Sequence, residues 1–405
     1  MHTIDRMTQP QPTSTRGRFG FVLLAYSFVA VMLGTTLPTP IYALYSDRMH
    51  FTVLTTTVIF STYAVGVLAA LLVFGSWSDA LGRRPMLLGG AGFALASAVV
   101  FLFADDVGLL LVARLLSGFS AGIFTGTATA AIVEAAPDVQ RERATAIATI
   151  ANIGGLGLGP VLAGILVQYA PHPLHLPYLV HIVLVVLAAG AVIMAPETAG
   201  RTGRIGLQRL SIPAQARPVF VTAATAAFAG FAVTGLFMAV VPAFVRTVLG
   251  IENHAVAGVV ASSIFAASAI AQLVGRRIPP RRAIAVGCAI LVAGMAILAV
   301  AVRASSLPLL VVAAVVAGVG QGISFSRGLA AVTELTPPDR RAEVSSTYFV
   351  VAYVAISVPV VGEGFASQHL GLQTAGFGFA IATGVLAALC LASVVIQERR
   401  TPVEA

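Results

Sequence analysis

Twelve apolar stretches, each about as long as a bilayer is thick, dictate what this chain can fold into. They run near residues 19–42, 55–77, 85–104, 108–134, 143–168 and 176–195, then near 218–245, 255–275, 283–302, 307–334, 344–366 and 372–396. A helix needs about 20 apolar residues to cross the hydrocarbon core. Of the 405 residues, 58% are hydrophobic and 10% are charged, with a mean hydropathy of +0.94. A soluble domain carries about 25% charged residues. No soluble core hides so much apolar surface, whereas lipid accepts it. The pattern predicts an all-α membrane protein of twelve transmembrane helices, with the lipid bilayer as its first partner.

The polar opening, Met1 to Arg18, precedes an apolar segment from Phe19 to about Tyr42. That segment exceeds the roughly 7–15 apolar residues of a cleavable signal, so it reads as a retained first span. With the N-terminus inside, the even-numbered loops and the two tails hold nineteen arginines, while only Arg48, Arg246 and Arg303 fall in the opposite loops. This bias predicts that both termini are cytoplasmic. The two halves also repeat at an offset of 200: Gly75 and Gly275, Gly118 and Gly318, Gly122 and Gly322, Ile123 and Ile323, Glu134 and Glu334, Pro137 and Pro337, Arg141 and Arg341. Six spans per repeat give both halves the same orientation. The expected organisation is an N-terminal tail (1–18), a six-helix half (19–195), a cytoplasmic linker (196–217), a second six-helix half (218–396) and a C-terminal tail (397–405).

Several function classes drop out. The formal charge of +8 comes from arginines scattered over short loops; these make no continuous phosphate-tracking face, so no nucleic-acid partner is expected. Cys288 and Cys390 lie far apart inside apolar runs and indicate neither a disulfide framework nor a metal site. Gly118-Phe119-Ser120-Ala121-Gly122 matches a nucleophile elbow, which requires a strand before it and a helix after. This copy sits in the middle of an apolar span. The glycine run at 154–159 lacks the βαβ unit of a dinucleotide site. Neither catalytic residues nor metal ligands are assigned, and the chain is not expected to be an enzyme.

The loop between the second and third spans reads Gly75-Ser-Trp-Ser-Asp79-Ala-Leu-Gly82-Arg83-Arg84. Gly75 and Gly82 permit a sharp turn and close helix approach, and Asp79 is placed to pair with Arg83 or with polar groups of the opposite half. The spacing resembles the signature loop of the major facilitator superfamily of transporters. The resemblance covers residues 19–396 and implies the major facilitator fold, with two parallel six-helix halves. It implies that Gly75, Asp79, Gly82, Arg83 and Arg84, together with Glu134, form a latch between the halves in the outward-open state. Ala80 departs from the family by replacing a second basic residue, and the second-half copy, Gly275 to Arg282, has lost the acid.

Two more motifs resemble the twelve-span drug:proton antiporters of that superfamily. In the fourth span Arg114 precedes Gly118, Gly122 and Gly126 at four-residue steps. The resemblance links this arginine to proton coupling; the alternative is a side chain snorkelling to the outer headgroups. In the fifth span Gly155, Gly159, Pro160 and Gly164 resemble an antiporter motif, with Ala163 in place of a usual glycine. Pro160 leaves a carbonyl one turn upstream unpaired. The resemblance further implies that spans 1, 4, 7 and 10 line a central cavity, which makes Tyr26, Arg114, Phe231 and Arg327 candidate substrate or coupling residues. His181 joins them as a group able to titrate near neutrality. Arg114 has no acid beside it on its own helix, so its partner is expected from another span or from substrate. Arg327 and Glu334 are expected to share a network, and Glu363 reads as interfacial.

The implied function is proton-coupled efflux of a small amphipathic molecule by alternating access. The partners are the substrate, protons and lipid; there is no cofactor beyond the proton gradient, and the chain is taken as a monomer in a bacterial plasma membrane. A dedicated exporter or importer of one polar metabolite, such as a sugar or organic acid, is the alternative.

Overall fold

Proline, glycine and short polar turns cut the apolar sequence into twelve long helices in the computed structural model, which describes residues 15–136, 141–199 and 205–400. At 15–19, 141, 281 and 397–400 only the backbone is described. Arg6, Arg201 and Arg204 therefore lie outside the described residues, as do most of the first tail and the end of the second. The helices are α1 (Thr15–Thr36), α2 (Val53–Phe74), α3 (Arg83–Leu102), α4 (Val107–Glu134), α5 (Arg141–Tyr169), α6 (Leu176–Met194), α7 (Arg217–Ala239), α8 (His254–Val274), α9 (Pro280–Arg303), α10 (Leu307–Glu334), α11 (Arg341–Leu370) and α12 (Leu372–Arg400). All twelve spans are long and apolar enough to cross a membrane, and no strand occurs among the described residues.

Local chemistry sets several boundaries. Asp106 caps α4 by accepting from the Leu109 N–H at 2.9 Å, and Asn253 caps α8 by accepting from Ala255 and Val256. The first span is not one rod. Pro38 and Pro40 interrupt its ladder after Leu37, and the chain continues through a 3-10 turn at Thr39–Ile41 into a short helix, Tyr42–Met49.

The 200-residue repeat is also a repeat of packing. In the first half α1 packs on α4, α5 and α6, α2 and α3 on α4, and α3 on α6; in the second, α7 packs on α10, α11 and α12, α8 and α9 on α10, and α9 on α12. Small residues allow these approaches. Gly118 lies so close to α2 that a Cβ would stand 2.2 Å from the Tyr63 carbonyl oxygen, and at Gly318 it would stand 2.4 Å from that of Ile264 on α8. The halves meet along two seams, α5 with α8 and α2 with α11.

Twelve alternating crossings bring Thr15 and Arg400 to one end of the bundle, here the tail end. At the opposite, far end the halves are joined by the Asp47–Arg246 ion pair at 2.7 Å, by Arg246 donating to the Ala43 carbonyl, and by Gln168 accepting from the His254 N–H at 2.9 Å. Toward the tail end, Arg276, in the 3-10 turn that follows α8, donates to the Glu142 carbonyl of α5 at 3.2 Å.

Candidate functional site

The break in α1 builds the centre of the site. A helix that stops inside a bundle leaves carbonyls without partners, and Arg114 of α4 fills this gap. Its Nη1 donates to the Thr35 carbonyl at 2.5 Å and its Nη2 to the Phe60 carbonyl of α2 at 3.3 Å. The guanidinium carbon sits 4.7 Å from the Tyr63 ring centroid and 5.5 Å from that of Phe60. Arg114 is 1% exposed, so it does not snorkel. Its partners here are carbonyls and rings of two other spans: among the described residues no carboxylate forms an ion pair with it, and its Nε has no partner. Carbonyl dipoles and ring faces stabilise the cation in place of a counter-charge. Tyr63 carries the cluster to the seam, meeting Tyr353 of α11 edge-on at 6.3 Å.

Beside this cluster lies a small enclosed cavity bordered by Gly34, Thr35, Ser97, Ser120, Tyr178 and His181, with room for about one water. His181 is buried against Gly34, where a Cβ would stand 2.0 Å from the imidazole, and its Nε2 has no partner. The other candidates are dispersed. The Tyr26 hydroxyl donates to the Leu184 carbonyl of α6 at 3.1 Å, inside its own half. Phe231 packs edge-on against Phe325 of α10 at 4.9 Å. Arg327 is half-buried with an unpartnered Nε. The expected Arg327–Glu334 network is not formed: Glu334 is exposed and no ion pair joins the two.

The loop motif forms a second cluster at the tail end. Arg83 bridges Asp79 at 2.7 Å and Glu134 at 2.7 and 3.2 Å, and donates to the Ser78 hydroxyl at 2.6 Å. Arg84 donates to the Val192 and Ala195 carbonyls of the α6 end. Gly82, with φ at +108°, holds the turn in a backbone conformation that favours glycine. Gly75 lies against Gln208, whose N–H donates to the Leu72 carbonyl at 2.8 Å. Asp79 does not reach polar groups of the opposite half here; it is 58% exposed and bound to Arg83. A residue the motif did not reveal, Glu197, accepts from the N–H groups of Arg83, Arg84, Thr198 and Ala199. Burial works to raise its pKa, but these four donors outweigh burial and hold the carboxyl below the ordinary range.

The α5 motif divides its labour. Gly155 and Gly159 bring α5 onto α1, where Cβ atoms would stand 2.8 Å from the Val29 carbonyl and 2.4 Å from that of Leu33. Gly164 and Pro160 face α8 across the seam, packing on His254, Ala255 and Gly258. The carbonyl that Pro160 orphans is that of Leu156, and the Thr36 hydroxyl donates to it at 2.7 Å. Nothing local in the sequence singles out Thr36, because its partner lies 120 residues away.

Known proteins share this architecture. The sequence model of the Major Facilitator Superfamily matches residues 24–358 and 275–405. The multidrug efflux pump LfrA of Mycolicibacterium smegmatis is 31% identical over 159 residues, covering 39% of this chain and 31% of that pump. Multidrug resistance protein 1 of Bacillus subtilis is 26% identical over 147 residues, 36% of this chain and 38% of its own length. The chain thus matches well under half of either relative. Among solved structures, a bacterial homologue of the human lysosomal transporter Spinster, inward-facing and unoccupied, superposes with a TM-score of 0.72 at 14% identity, covering 98% of this chain and all of that one. At such identity the likeness shows the fold.

Proposed function

This chain belongs to the Major Facilitator Superfamily, and from that premise we propose that it is a proton-coupled exporter of small amphipathic molecules working by alternating access. The observation that carries the reading is the asymmetry between the two ends. Across the far end the halves are joined by an ion pair, Asp47–Arg246, and by Gln168–His254, whereas toward the tail end the direct bond between them is Arg276 to the Glu142 carbonyl and the ion pairs of the motif loop stay within its own half. We read this difference as that of a transporter closed at its far end, taken as the outer one, with both termini cytoplasmic. The loop at 75–84 then joins the halves only in the opposite state. Similarity to two multidrug proteins favours efflux of drug-like compounds over the single-metabolite reading. In that cycle Arg114, bridging α1 and α2 beneath Tyr63, transmits movement of α1 to the α2–α11 seam, and the Pro160 bend gives α5 a pivot against α8.

The test is dye accumulation in energised everted vesicles carrying the protein. Uptake that collapses on adding a protonophore supports the reading. Saturable flux of one sugar or organic acid, with no dye movement, overturns it.

A further inference from the structure

Glu363 lies on α11, two turns before the far end, and is 4% exposed. The Ser367 hydroxyl donates to its Oε1 at 3.5 Å, and no cation pairs with it among the described residues. Toward α9 and α12 it faces small and apolar groups. A Cβ built on Gly376 of α12 would lie 3.8 Å from Oε1 and the same distance from the Val302 methyls of α9. Charged and titratable groups stand aside. Arg303 at the end of α9 is exposed and stacked over Phe377, and His369 is exposed with its Nδ1 at the Phe365 carbonyl. On α2 the titratable side chain is Tyr63, under Arg114; Arg217 of α7, Arg327 and Glu334 of α10, and Glu398 of α12 all lie toward the tail end.

A carboxylate buried without a cation or a set of donors is disfavoured against the neutral acid. The neighbouring residue connects that proton to the seam. Gly364 packs onto α2 of the other half so closely that a Cβ would stand 2.2 Å from the Thr57 hydroxyl and 3.0 Å from the Leu54 Cα. One turn earlier Pro359 interrupts the α11 ladder, giving the segment a place to bend.

We propose that Glu363 is the proton-binding group of the far-end seam: the carboxylate takes a proton from water at the far face, and the neutral acid is what the closed seam accommodates. Opening hydrates the group, and its O–H returns the proton to water as the carboxylate re-forms. Proton uptake and far-end closure are thus reciprocally linked. The inference rests on the alternating-access reading above and adds a residue that makes far-end closure depend on pH; because uptake and release both occur at the far face, Glu363 gates the cycle and does not itself carry the proton across.

The experiment places a reporter in the seam, Thr57→Cys, and measures its labelling by a membrane-impermeant maleimide in proteoliposomes as a function of pH. A protein without the reporter corrects for Cys288 and Cys390, which are both buried. Labelling is expected to rise with pH, approaching about tenfold per pH unit, the limit for one linked proton. Glu363→Gln, which mimics the neutral acid, is expected to give slow labelling at every pH. Glu363→Asp keeps a carboxyl and is expected to keep the slope, which separates loss of the proton site from misfolding. A flat wild-type profile, or a wild-type slope in Glu363→Gln, overturns the proposal. Dye transport in the same proteoliposomes separates the two ideas. If a pH gradient drives dye in Glu363→Gln as in wild type, the assignment fails and the exporter reading stands. If it drives no dye in wild type while the Glu363-dependent slope persists, the exporter reading fails and the proton site stands.

Discussion

At the scale of single residues, Arg114 shows how a charge is held in a membrane protein without a counter-charge. Its two bonds tie the broken end of α1 to the middle of α2, so removing it disturbs two helices together. Arg114→Ala leaves the Thr35 carbonyl without its donor, a loss of about 1–3 kcal/mol for a buried acceptor. The variant is expected to insert, to melt below wild type in detergent, and to lose dye efflux. Arg114→Lys is expected to recover part of both, since one ammonium lacks the planar fork that spans two carbonyls. Wild-type melting and efflux in Arg114→Ala would show that the bridge is dispensable. A second residue-scale prediction concerns Glu197. Its carboxyl titrates below the ordinary range in the folded protein, so its contribution is complete above the unfolded-state value and disappears as pH falls through the folded one. Glu197→Gln should therefore melt below wild type at neutral pH, and the gap should close on acidification; a gap that widens in acid would reverse the sign. Arg114 was visible in the sequence as a buried charge in an apolar span. Its partners were not, because a carbonyl freed by a helix break 79 residues away leaves no local pattern.

At the scale of elements, length and hydropathy made the twelve helices legible, and the 200-residue offset revealed that they form two copies of one packing scheme. What they concealed was side-chain rescue between helices. Pro160 and Thr36 are the clearest case: the proline removes a ladder bond from α5, and a hydroxyl from α1 replaces it. The two residues therefore form a thermodynamic pair. Thr36→Val strands the Leu156 carbonyl and is expected to lower stability by about 1–3 kcal/mol. With Pro160→Ala the residue at 160 regains an N–H, the α5 ladder closes, and the same Thr36→Val change should cost much less. A double-mutant cycle on melting temperature measures the coupling. Simple additivity of the two changes would show that the carbonyl finds another donor. Transport in Pro160→Ala reports separately on whether the bend itself is needed.

For the whole molecule, the question is which contacts choose between the two ends of the bundle. Most of the seam is small-residue packing, as where Gly258 lies against Pro160 and Gly364 against Thr57, and such contacts have no charge to invert. The Asp47–Arg246 pair does. It joins the short helices that follow α1 (Tyr42–Met49) and α7 (Val241–Thr247), one from each half, and both side chains are partly exposed. An exposed pair is worth about 0.2–1 kcal/mol, which moves a two-state balance by no more than about fivefold. That is enough to be measured and too little to unfold the protein. Asp47→Arg sets two cations face to face and is expected to raise far-end exposure, read as faster maleimide labelling of Thr57→Cys; Arg246→Asp should do the same with two anions. The exchanged pair, carrying both changes, restores attraction with the polarity reversed and is expected to return labelling toward the parent rate. High salt should shrink all three differences, because exposed charges are screened within about 10 Å at 0.1 M ionic strength. If each single reversal leaves labelling unchanged at low salt, the ion pair decorates a seam that glycine packing and the Gln168–His254 hydrogen bond hold shut without it. If the singles open the far end and the exchanged pair does not close it again, the effect comes from local distortion of the short helices rather than from attraction between the halves.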